Sequence, residues 1–231
     1  MYQGLPLSLA PTTSTYYNLL NVYLIFGVGA GVVVITLLAV FMVRYRSRGE
    51  KGPAPQHKTE GWKIVLVTVL ISISILTTAE YETFASFSNI EIPAQCTEIP
   101  SSCVHIGVLA FQWGWDFNYT NGKVLHNGIT IPANTTIVLS IRSKDVFHTF
   151  SIEMLAVKED AIPGKVNQLW FTVPGVSFAS GDVTPVCNST MTSCEYPFAI
   201  RCFELCGVGH AFMTANLTVV DQATWNSWIG G

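Results

Sequence analysis

The sequence contains little charge. Only 12% of its 231 residues are Asp, Glu, Lys or Arg, against about a quarter in a typical soluble domain, whereas 49% are hydrophobic. Residues 1–43 include no charged residue at all. Charge that is missing from one continuous segment indicates a membrane component rather than a uniformly apolar globular protein.

Two stretches are apolar enough to cross a membrane. The first, residues 17–43, exceeds the roughly 20 helical residues that a bilayer core requires. The second, residues 62–83, begins at Trp62, a residue typical of the membrane interface. A cleaved signal peptide explains the first stretch poorly, because no basic residue precedes it and its apolar core is too long. We therefore predict a membrane anchor in residues 1–83.

Three glycines, Gly27, Gly29 and Gly31, lie inside the first apolar stretch. Their spacing superficially resembles a phosphate-binding loop, but no strand precedes them. We interpret them as small residues that allow close helix packing in a membrane.

Basic residues are concentrated between the two predicted helices. Five of the twelve Lys and Arg residues lie there, Arg44, Arg46, Arg48, Lys51 and Lys58, and a sixth, Lys63, follows at the start of the second stretch. By the positive-inside rule this loop faces the cytoplasm, so residues 84–231 form an exterior domain on the plasma membrane. That domain has eleven acidic and six basic residues, a formal net charge of −5. This charge disfavours a nucleic-acid partner and allows a basic protein partner.

The exterior domain shows no helical periodicity before the tail that follows Asp221. Short runs rich in β-branched and aromatic residues predict strands instead, at 104–111, 129–131, 136–141, 168–173, 198–203 and 215–220. Turn dipeptides such as Asn121-Gly122 and Pro163-Gly164 separate them. Several strands without intervening helices predict an antiparallel sandwich.

Four cysteines bracket two short loops. Six residues separate Cys96 from Cys103, and six separate Cys187 from Cys194. On the oxidising side of a membrane we expect both pairs to form disulfides, with four free thiols as the alternative.

Four Asn-X-Ser/Thr sequons lie in the predicted exterior domain, at Asn118, Asn134, Asn188 and Asn216. A glycosylated cell surface fits an archaeon or a eukaryote better than most bacteria. We expect a glycoprotein of an archaeal cell membrane.

The two remaining cysteines belong to a segment rich in soft metal ligands. Cys202, Cys206, His210 and Met213 lie within twelve residues, and their thiolate, imidazole and thioether groups suit copper. Intervening glycines allow the loop to fold tightly enough for the four side chains to converge.

The number of sulfur ligands separates this segment from a mononuclear blue-copper site, which uses one Cys, two His and a weak Met. Two Cys can bridge two metals, each with one terminal His and one weak donor. His148 provides a second imidazole, and the Met213 sulfur and the Glu204 carbonyl are the weak donors. A structural zinc site, a Cys202–Cys206 disulfide and a core role for Met213 remain alternatives.

Four ordered motifs resemble cytochrome c oxidase subunit II. Residues 202–213 are similar to its copper A signature, 145–150 to the segment with its first histidine, and 158–167 to the stretch that follows. Residues 112–115 resemble its Gln-Trp-aromatic-Trp motif, with Gly114 in place of the aromatic. The resemblance implies a two-helix transmembrane hairpin followed by an all-β cupredoxin-like sandwich domain.

The resemblance also assigns site residues. It implies that dinuclear copper A is bound by His148, Cys202, Cys206, His210 and Met213, together with the Glu204 carbonyl. The Glu204 side chain would reach a magnesium ion at the interface with subunit I. Trp113 would accept electrons from the donor, and Asp160 would lie near a water exit. Glu60 stands two positions before Trp62, where the family's proton-channel glutamate stands three before. That role stays open for Glu60, and a solvated loop acid is the favoured interpretation.

The function implied is that of subunit II of a respiratory haem-copper terminal oxidase. Electrons from cytochrome c or a small copper protein would pass through copper A to haem in subunit I, beside other membrane subunits, with no turnover by this chain alone. A nitric oxide reductase subunit is one alternative. A copper-delivery chaperone of thioredoxin fold is another, disfavoured by Met213. Residues 178–196 look like an insertion relative to the family, which runs straight to the copper loop at this point. We expect the insertion either to cover the site or to bind an unusual donor.

Overall fold

The computed structural model describes residues 11–46, 61–87, 91–178 and 183–231. It divides into two compact units, one formed by Tyr17–Ser88 and the other mainly by Asn89–Gly231. Most of the basic loop, including Arg48, Lys51, Lys58 and Glu60, lies outside the described residues, so its expected cytoplasmic position and the interpretation of Glu60 stay predictions.

The first unit is a helical hairpin. Helix α1 spans Pro11–Arg44 and helix α2 spans Trp62–Ser86. Both are long and apolar enough to cross a membrane. Early in α1, the Tyr23 hydroxyl lies 2.8 Å from the Thr83 hydroxyl, near the end of α2, so the helices are antiparallel. Their apolar side chains are largely exposed in the isolated chain, as expected of surfaces that lipid covers.

The glycines of α1 do not contact α2. A Cβ atom added at Gly27, Gly29 or Gly31 would meet nothing within 4 Å. The close packing expected there is therefore not made within the described part of this chain.

The second unit contains two facing sheets. One has the strand order β3-β2-β1-β5-β8, and the other the order β4-β11-β10-β6-β7, with β9 beside β10. The strands are β1 Val104–Phe111, β2 Gly114–Tyr119, β3 Val124–His126, β4 Gly128–Pro132, β5 Thr136–Ser143, β6 His148–Ile152, β7 Val157–Ala161, β8 Asn167–Thr172, β9 Val186–Cys187, β10 Ser193–Cys202 and β11 Thr214–Val220. Helix α3, Ala94–Glu98, precedes the sheets, and helix α4, Gln222–Gly230, follows them. The predicted sandwich is confirmed, and its topology excludes a thioredoxin-fold chaperone.

The sandwich is mixed rather than wholly antiparallel, which corrects the sequence prediction. Strands β1 and β5 pair in parallel, as do β4 and β11. Parallel neighbours need a connection that returns the chain to the starting end, and the path through β2, β3 and β4 provides it for β1 and β5. Burial patterns specify which face of a strand is covered but not its direction.

Alternating apolar side chains fill the space between the sheets. Trp115, Phe117 and Phe150 are fully buried there, with their rings in edge-to-face contact. A smaller cluster lies outside this core, where the Cys96–Cys103 disulfide packs against Val138 and Trp170. The second predicted disulfide, Cys187–Cys194, is also formed, so both cysteine pairings are confirmed.

Strand β10 runs from one end of its sheet to the other. Ser193, at its start, pairs with Val220, whereas Arg201, near its end, pairs with Thr214. Cys202 follows Cys194 by eight residues of strand, which is roughly 26 Å at 3.3 Å per residue. The disulfide-closed hairpin is therefore at the opposite end of the sheet from Cys202. The expectation that this part of the insertion covers the metal loop is wrong.

Candidate metal centre

Three adjacent strands bring three of the predicted ligands to one end of a sheet. His148 is the first residue of β6, Cys202 is the last of β10, and Met213 immediately precedes β11. Cys202 is in register with Phe150 of β6, and its backbone N–H donates to the Met213 carbonyl at 3.1 Å. The ladder that stabilises the sheet thus fixes the relative positions of these ligands.

The loop from β10 to β11 returns the other two ligands to the same place. Its tight turns are closed by backbone bonds from His210 to Gly207, 3.1 Å, and from Met213 to His210, 3.2 Å. As a result, Cys206 Sγ lies 3.6 Å from His210 Nδ1 and 3.7 Å from Met213 Sδ. Gly207 has a φ of 117°, a conformation that a residue with a side chain rarely adopts.

The two thiols face each other without bonding. Cys202 Sγ and Cys206 Sγ are 3.8 Å apart, and both cysteines are free. The structure therefore does not contain the Cys202–Cys206 disulfide that was considered as an alternative. Two sulfurs that share a tetrahedral metal at about 2.3 Å lie about 3.8 Å apart, so the observed spacing suits a shared ion.

Cys202 has two further donors beside it. His148 Nδ1 lies 3.9 Å from its sulfur, and the Glu204 carbonyl oxygen lies 3.3 Å from it. The cluster of His148, Cys202 and Cys206 meets the geometric requirement for a metal-binding group. All the residues that the sequence assigns to copper therefore converge on one pair of sulfurs.

Most of the donor side chains are shielded from water, whereas His210 is partly exposed. His148 and Met213 have no exposed surface, and Cys206 is 3% exposed. Burial, with the neighbouring Cys202 thiol as a second cause, raises the pKa of Cys206 to about 12. A metal ion binding here must displace thiol protons, as soft ions do at cysteine sites.

An acidic residue orients the buried imidazole. Asp145 Oδ1 lies 2.8 Å from His148 Nε2, which leaves Nδ1 directed at the Cys202 sulfur. Burial acts to raise the pKa of Asp145, but hydrogen bonds from His148 and from the Gln112 and Val146 backbones outweigh it and lower the pKa. Carboxylates of this kind fix ligand histidines in metalloproteins. The spacing of three residues between Asp145 and His148 is the sequence signal that could have revealed this role.

Trp113 lies against the metal loop. Its indole Nε1 donates to the Cys206 carbonyl at 3.3 Å, and Gln112 Nε2 donates to the same oxygen at 2.6 Å. A Cβ atom at Gly209 would come within 2.4 Å of the indole ring, so the missing side chain permits this contact. Trp113 remains 40% exposed, whereas Trp115 is fully buried. Trp115 therefore fills the core of the sandwich, whereas Trp113 does not.

Gly114, which stands where the family motif has an aromatic residue, has a local structural explanation. A Cβ atom there would come within 2.9 Å of the Asn127 side-chain oxygen and of the Phe111 ring. The same Asn127 oxygen accepts from the Trp115 backbone N–H at 2.8 Å. Asn127 and Phe111 thus occupy the space next to this backbone, and the surface beside Trp113 has no second aromatic side chain from position 114.

The remaining acidic candidates are on the surface. The side chain of Glu204 is exposed while its carbonyl faces Cys202. Asp160, in β7, is also exposed and accepts from the Thr149 hydroxyl at 2.8 Å. Thr149 follows His148, and its carbonyl accepts from the Phe203 backbone at 3.1 Å. Asp160 is therefore anchored to the ligand strand without reaching the sulfurs.

The chain is similar in sequence to known proteins. Residues 123–200 match the family model described as cytochrome C oxidase subunit II, periplasmic domain. A probable cytochrome c oxidase subunit 2 of Rickettsia prowazekii is 26% identical over 95% of this chain and 69% of its own length. A heme-copper oxidase subunit 2 of Aeropyrum pernix is 25% identical over 92% of this chain and 87% of its own length.

One solved structure is similar to part of the chain. It is the periplasmic domain of cytochrome oxidase subunit II of Bradyrhizobium japonicum, which is 27% identical. The likeness covers 57% of this chain and 94% of that one, with a TM-score of 0.45.

Proposed function

We propose that the chain is a member of the cytochrome c oxidase subunit II family and that it accepts electrons at a dinuclear copper A centre outside the membrane. It passes them to haem in subunit I of a respiratory terminal oxidase that reduces oxygen. The observation that carries this proposal is the set of soft donors around two free thiols 3.8 Å apart.

The donors divide evenly between the two sulfurs. Cys202 has His148 and the Glu204 carbonyl beside it, and Cys206 has His210 and Met213. Six donors exceed the four that one tetrahedral zinc ion takes. The same six donors would suffice to hold two copper ions, and copper held there would supply one-electron transfer.

The chain's own residues keep the site rigid and dry. The sheet ladder holds His148, Cys202 and Met213, and burial excludes water from them. Asp145 maintains the orientation of His148. Fixed ligands need not rearrange when the charge of the centre changes, which is the contribution that a protein makes to cofactor redox chemistry.

Trp113 offers electrons a route from solvent to the site. Its ring is partly exposed, and its Nε1 hydrogen bond ends on the carbonyl of Cys206. A donor that contacts Trp113 is therefore one hydrogen bond from the backbone of a copper ligand. We assign that donor to cytochrome c or a small copper protein.

The remaining assignments concern the complex. The exposed Glu204 carboxylate is free to bind a magnesium ion at the contact with subunit I, and Asp160 lies toward the water exit of that contact. Other membrane subunits accompany the helical hairpin, in an archaeal cell membrane with the sandwich on the exterior. A nitric oxide reductase is the second candidate, and the catalytic subunit that copurifies with the chain distinguishes the two.

The copper assignment is tested on the exterior domain. Residues 84–231, which include the sandwich core and both disulfides, are expressed, loaded with copper and analysed for metal content and electron paramagnetic resonance. We expect two copper ions per chain and a signal from one electron shared by two copper nuclei. One copper per chain, or a signal from a single nucleus, contradicts the proposal.

Two substitutions test the individual ligands. Cys206→Ser should abolish the shared-electron signal, because a hydroxyl does not bridge two copper ions as a thiolate does. Met213→Leu should alter the signal, while Met191→Leu, at the exposed tip of the β9–β10 hairpin, should leave it unchanged. A shared-electron signal that survives in Cys206→Ser would refute the bridging role.

A further inference from the structure

The electron-transfer function does not account for the four sequons of the sandwich. We propose that Asn134 is an N-glycosylation site of this protein, a modification that rests on the exterior location proposed for the domain. The inference follows from the surroundings of the four asparagines, because only one of them combines exposure with an amide that no other group engages in the described part of the chain.

Asn134 lies at the turn where the chain passes from β4 to β5. Its φ of 54° is left-handed, a conformation that Asn tolerates better than most residues. The backbone of the turn is anchored, since Ala133 N–H donates to the Val220 carbonyl and Asn134 N–H to the Val173 carbonyl, both at 2.8 Å. The side chain is exposed, and within the described residues its amide has no hydrogen bond. A fixed backbone therefore presents a free amide to solvent.

The hydroxyl of this sequon is also accessible. Thr136, two residues after Asn134, is the first residue of β5 and is only partly buried. Its oxygen lies 3.4 Å from the Thr172 hydroxyl, which is longer than a normal hydroxyl hydrogen bond. The sequon therefore satisfies the motif in sequence and leaves both of its recognised groups available.

Two of the other sequon asparagines are engaged by their surroundings. The Asn188 side chain donates to the Thr192 hydroxyl at 2.8 Å and accepts from the Thr192 backbone at 2.9 Å. The Asn216 side chain donates to Glu195 at 2.5 Å and accepts from the Phe198 backbone at 3.0 Å. Modification of either amide requires the loss of these bonds.

The fourth asparagine is restricted by position. Asn118 lies in β2, which has β1 on one side and β3 on the other. It is partly buried, and a Cβ atom at Gly107 of β1 would come within 3.6 Å of its own Cβ. An oligosaccharide here would have to leave from the middle of a sheet face rather than from a turn.

The location of Asn134 is compatible with electron transfer. Strand β11 runs from Thr214, next to the copper ligand Met213, to Val220, which is in register with Pro132. Asn134 follows Pro132, so it lies at the end of the sheet away from the metal loop, at roughly 20 Å for the length of β11. A glycan there leaves Trp113 and the metal loop uncovered.

The reaction is an ordinary N-glycosyl transfer. The Asn134 Nδ2 attacks the anomeric carbon of an oligosaccharide carried on a lipid phosphate or diphosphate. The new bond joins nitrogen to that carbon, the bond from carbon to phosphate oxygen breaks, and the lipid phosphate leaves. A base of the transferase takes the amide proton, so no oxidant or metal of this chain takes part.

Trypsin separates the four sequons completely. Cleavage after Lys63, Lys123, Arg142, Lys165 and Arg201 puts Asn118, Asn134, Asn188 and Asn216 into peptides 64–123, 124–142, 166–201 and 202–231. The full-length protein is purified from its native membranes, digested and analysed by mass spectrometry. We expect peptide 124–142 to carry added mass and to release sugar oxonium ions on fragmentation. An unmodified 124–142 peptide overturns the proposal, whatever the other three peptides carry.

A matched pair at one position confirms that the sequon is responsible. Thr136→Ser keeps the motif and should keep the glycan, whereas Thr136→Ala should remove it, with more than a tenfold rise in the bare peptide. Equal glycan in both variants overturns the assignment. The copper signal of the same samples reports separately on the electron-transfer proposal, because it should be identical in Thr136→Ser and Thr136→Ala.

Discussion

Asp145 connects separate parts of the candidate metal centre. Its carboxylate holds His148 Nε2 and also accepts from the Gln112 backbone, at 2.8 Å in each case. Gln112 in turn donates to the Cys206 carbonyl. One carboxylate therefore connects the buried imidazole, the segment that carries Trp113 and the loop with the thiols.

Replacement of this carboxylate should weaken copper binding. Asp145→Asn keeps the shape but removes the charge that orients His148, so we expect copper affinity to fall by about 10- to 100-fold. The measurement is copper retention against a competing chelator. Asp116→Asn is the matched control, since Asp116 pairs with the exposed His126. Equal retention in both variants would show that Asp145 does not position the ligand.

The N-terminus of helix α4 depends on a single side chain, that of Asp221. Asp221 caps the helix by accepting from the Thr224 backbone N–H at 2.7 Å. Further along, Trp228 packs edge-on against Tyr119 of β2 at 4.9 Å between ring centroids. The cap thus begins a helix whose aromatic side chains cover the sandwich.

Loss of the cap should lower stability in a pH-dependent way. Hydrogen bonds from the Thr224 side chain and backbone lower the pKa of Asp221 below its ordinary value of 3.8. A lowered pKa stabilises the fold above the ordinary value, and this contribution disappears as the pH falls through the folded value. Asp221→Ala should therefore reduce the melting temperature at pH 7, with the difference from wild type shrinking below about pH 4. Asn226→Ala, in the same helix, should show no such trend; a constant difference for Asp221→Ala would contradict the cap.

The β9–β10 hairpin should contribute stability without affecting copper. Replacement of Cys187 and Cys194 by Ser removes a disulfide between two cysteines that are seven residues apart. We expect the free energy of unfolding to fall by about 2–3 kcal/mol. Because the hairpin is at the far end of β10, the copper signal should not change. Denaturant unfolding and paramagnetic resonance measure the two effects. Replacement of Cys96 and Cys103 by Ser is the control, because this disulfide also joins cysteines that are seven residues apart. An altered copper signal in the Cys187 and Cys194 variant would place the hairpin near the metal.

The whole molecule combines an apolar hairpin with a sandwich, and the distribution of basic residues predicts its orientation in the membrane. In right-side-out membrane vesicles, a membrane-impermeant amine reagent should modify the exposed Lys144 and Lys165 of the sandwich. It should modify Lys51 and Lys58 only after the membrane is opened, because the positive-inside rule places them in the cytoplasm. Modification of Lys51 in sealed vesicles would reverse the orientation.

The sequence predicted the parts of this molecule that depend on local pattern. Composition predicted the helices, spacing predicted the disulfides, and the metal loop was visible because its ligands are close in the chain. Strand β2 was missed although Trp115, Phe117 and Tyr119 alternate with partly buried positions, since Gly114 and the polar residues between them dilute the apolar signal. The parallel pairings and the contact of Gln112 with Cys206, 94 residues away, depend on the path of the chain. No local pattern contains that information.

The position of β11 has a consequence for biosynthesis. Met213 is held by a strand that follows all the other strands in the chain, and that strand pairs with both β4 and β10. The donor set is therefore incomplete until residues up to about 220 have joined the sheet. On the exterior location proposed for the sandwich, we expect metal loading to follow export and the metal to be supplied outside the cell membrane.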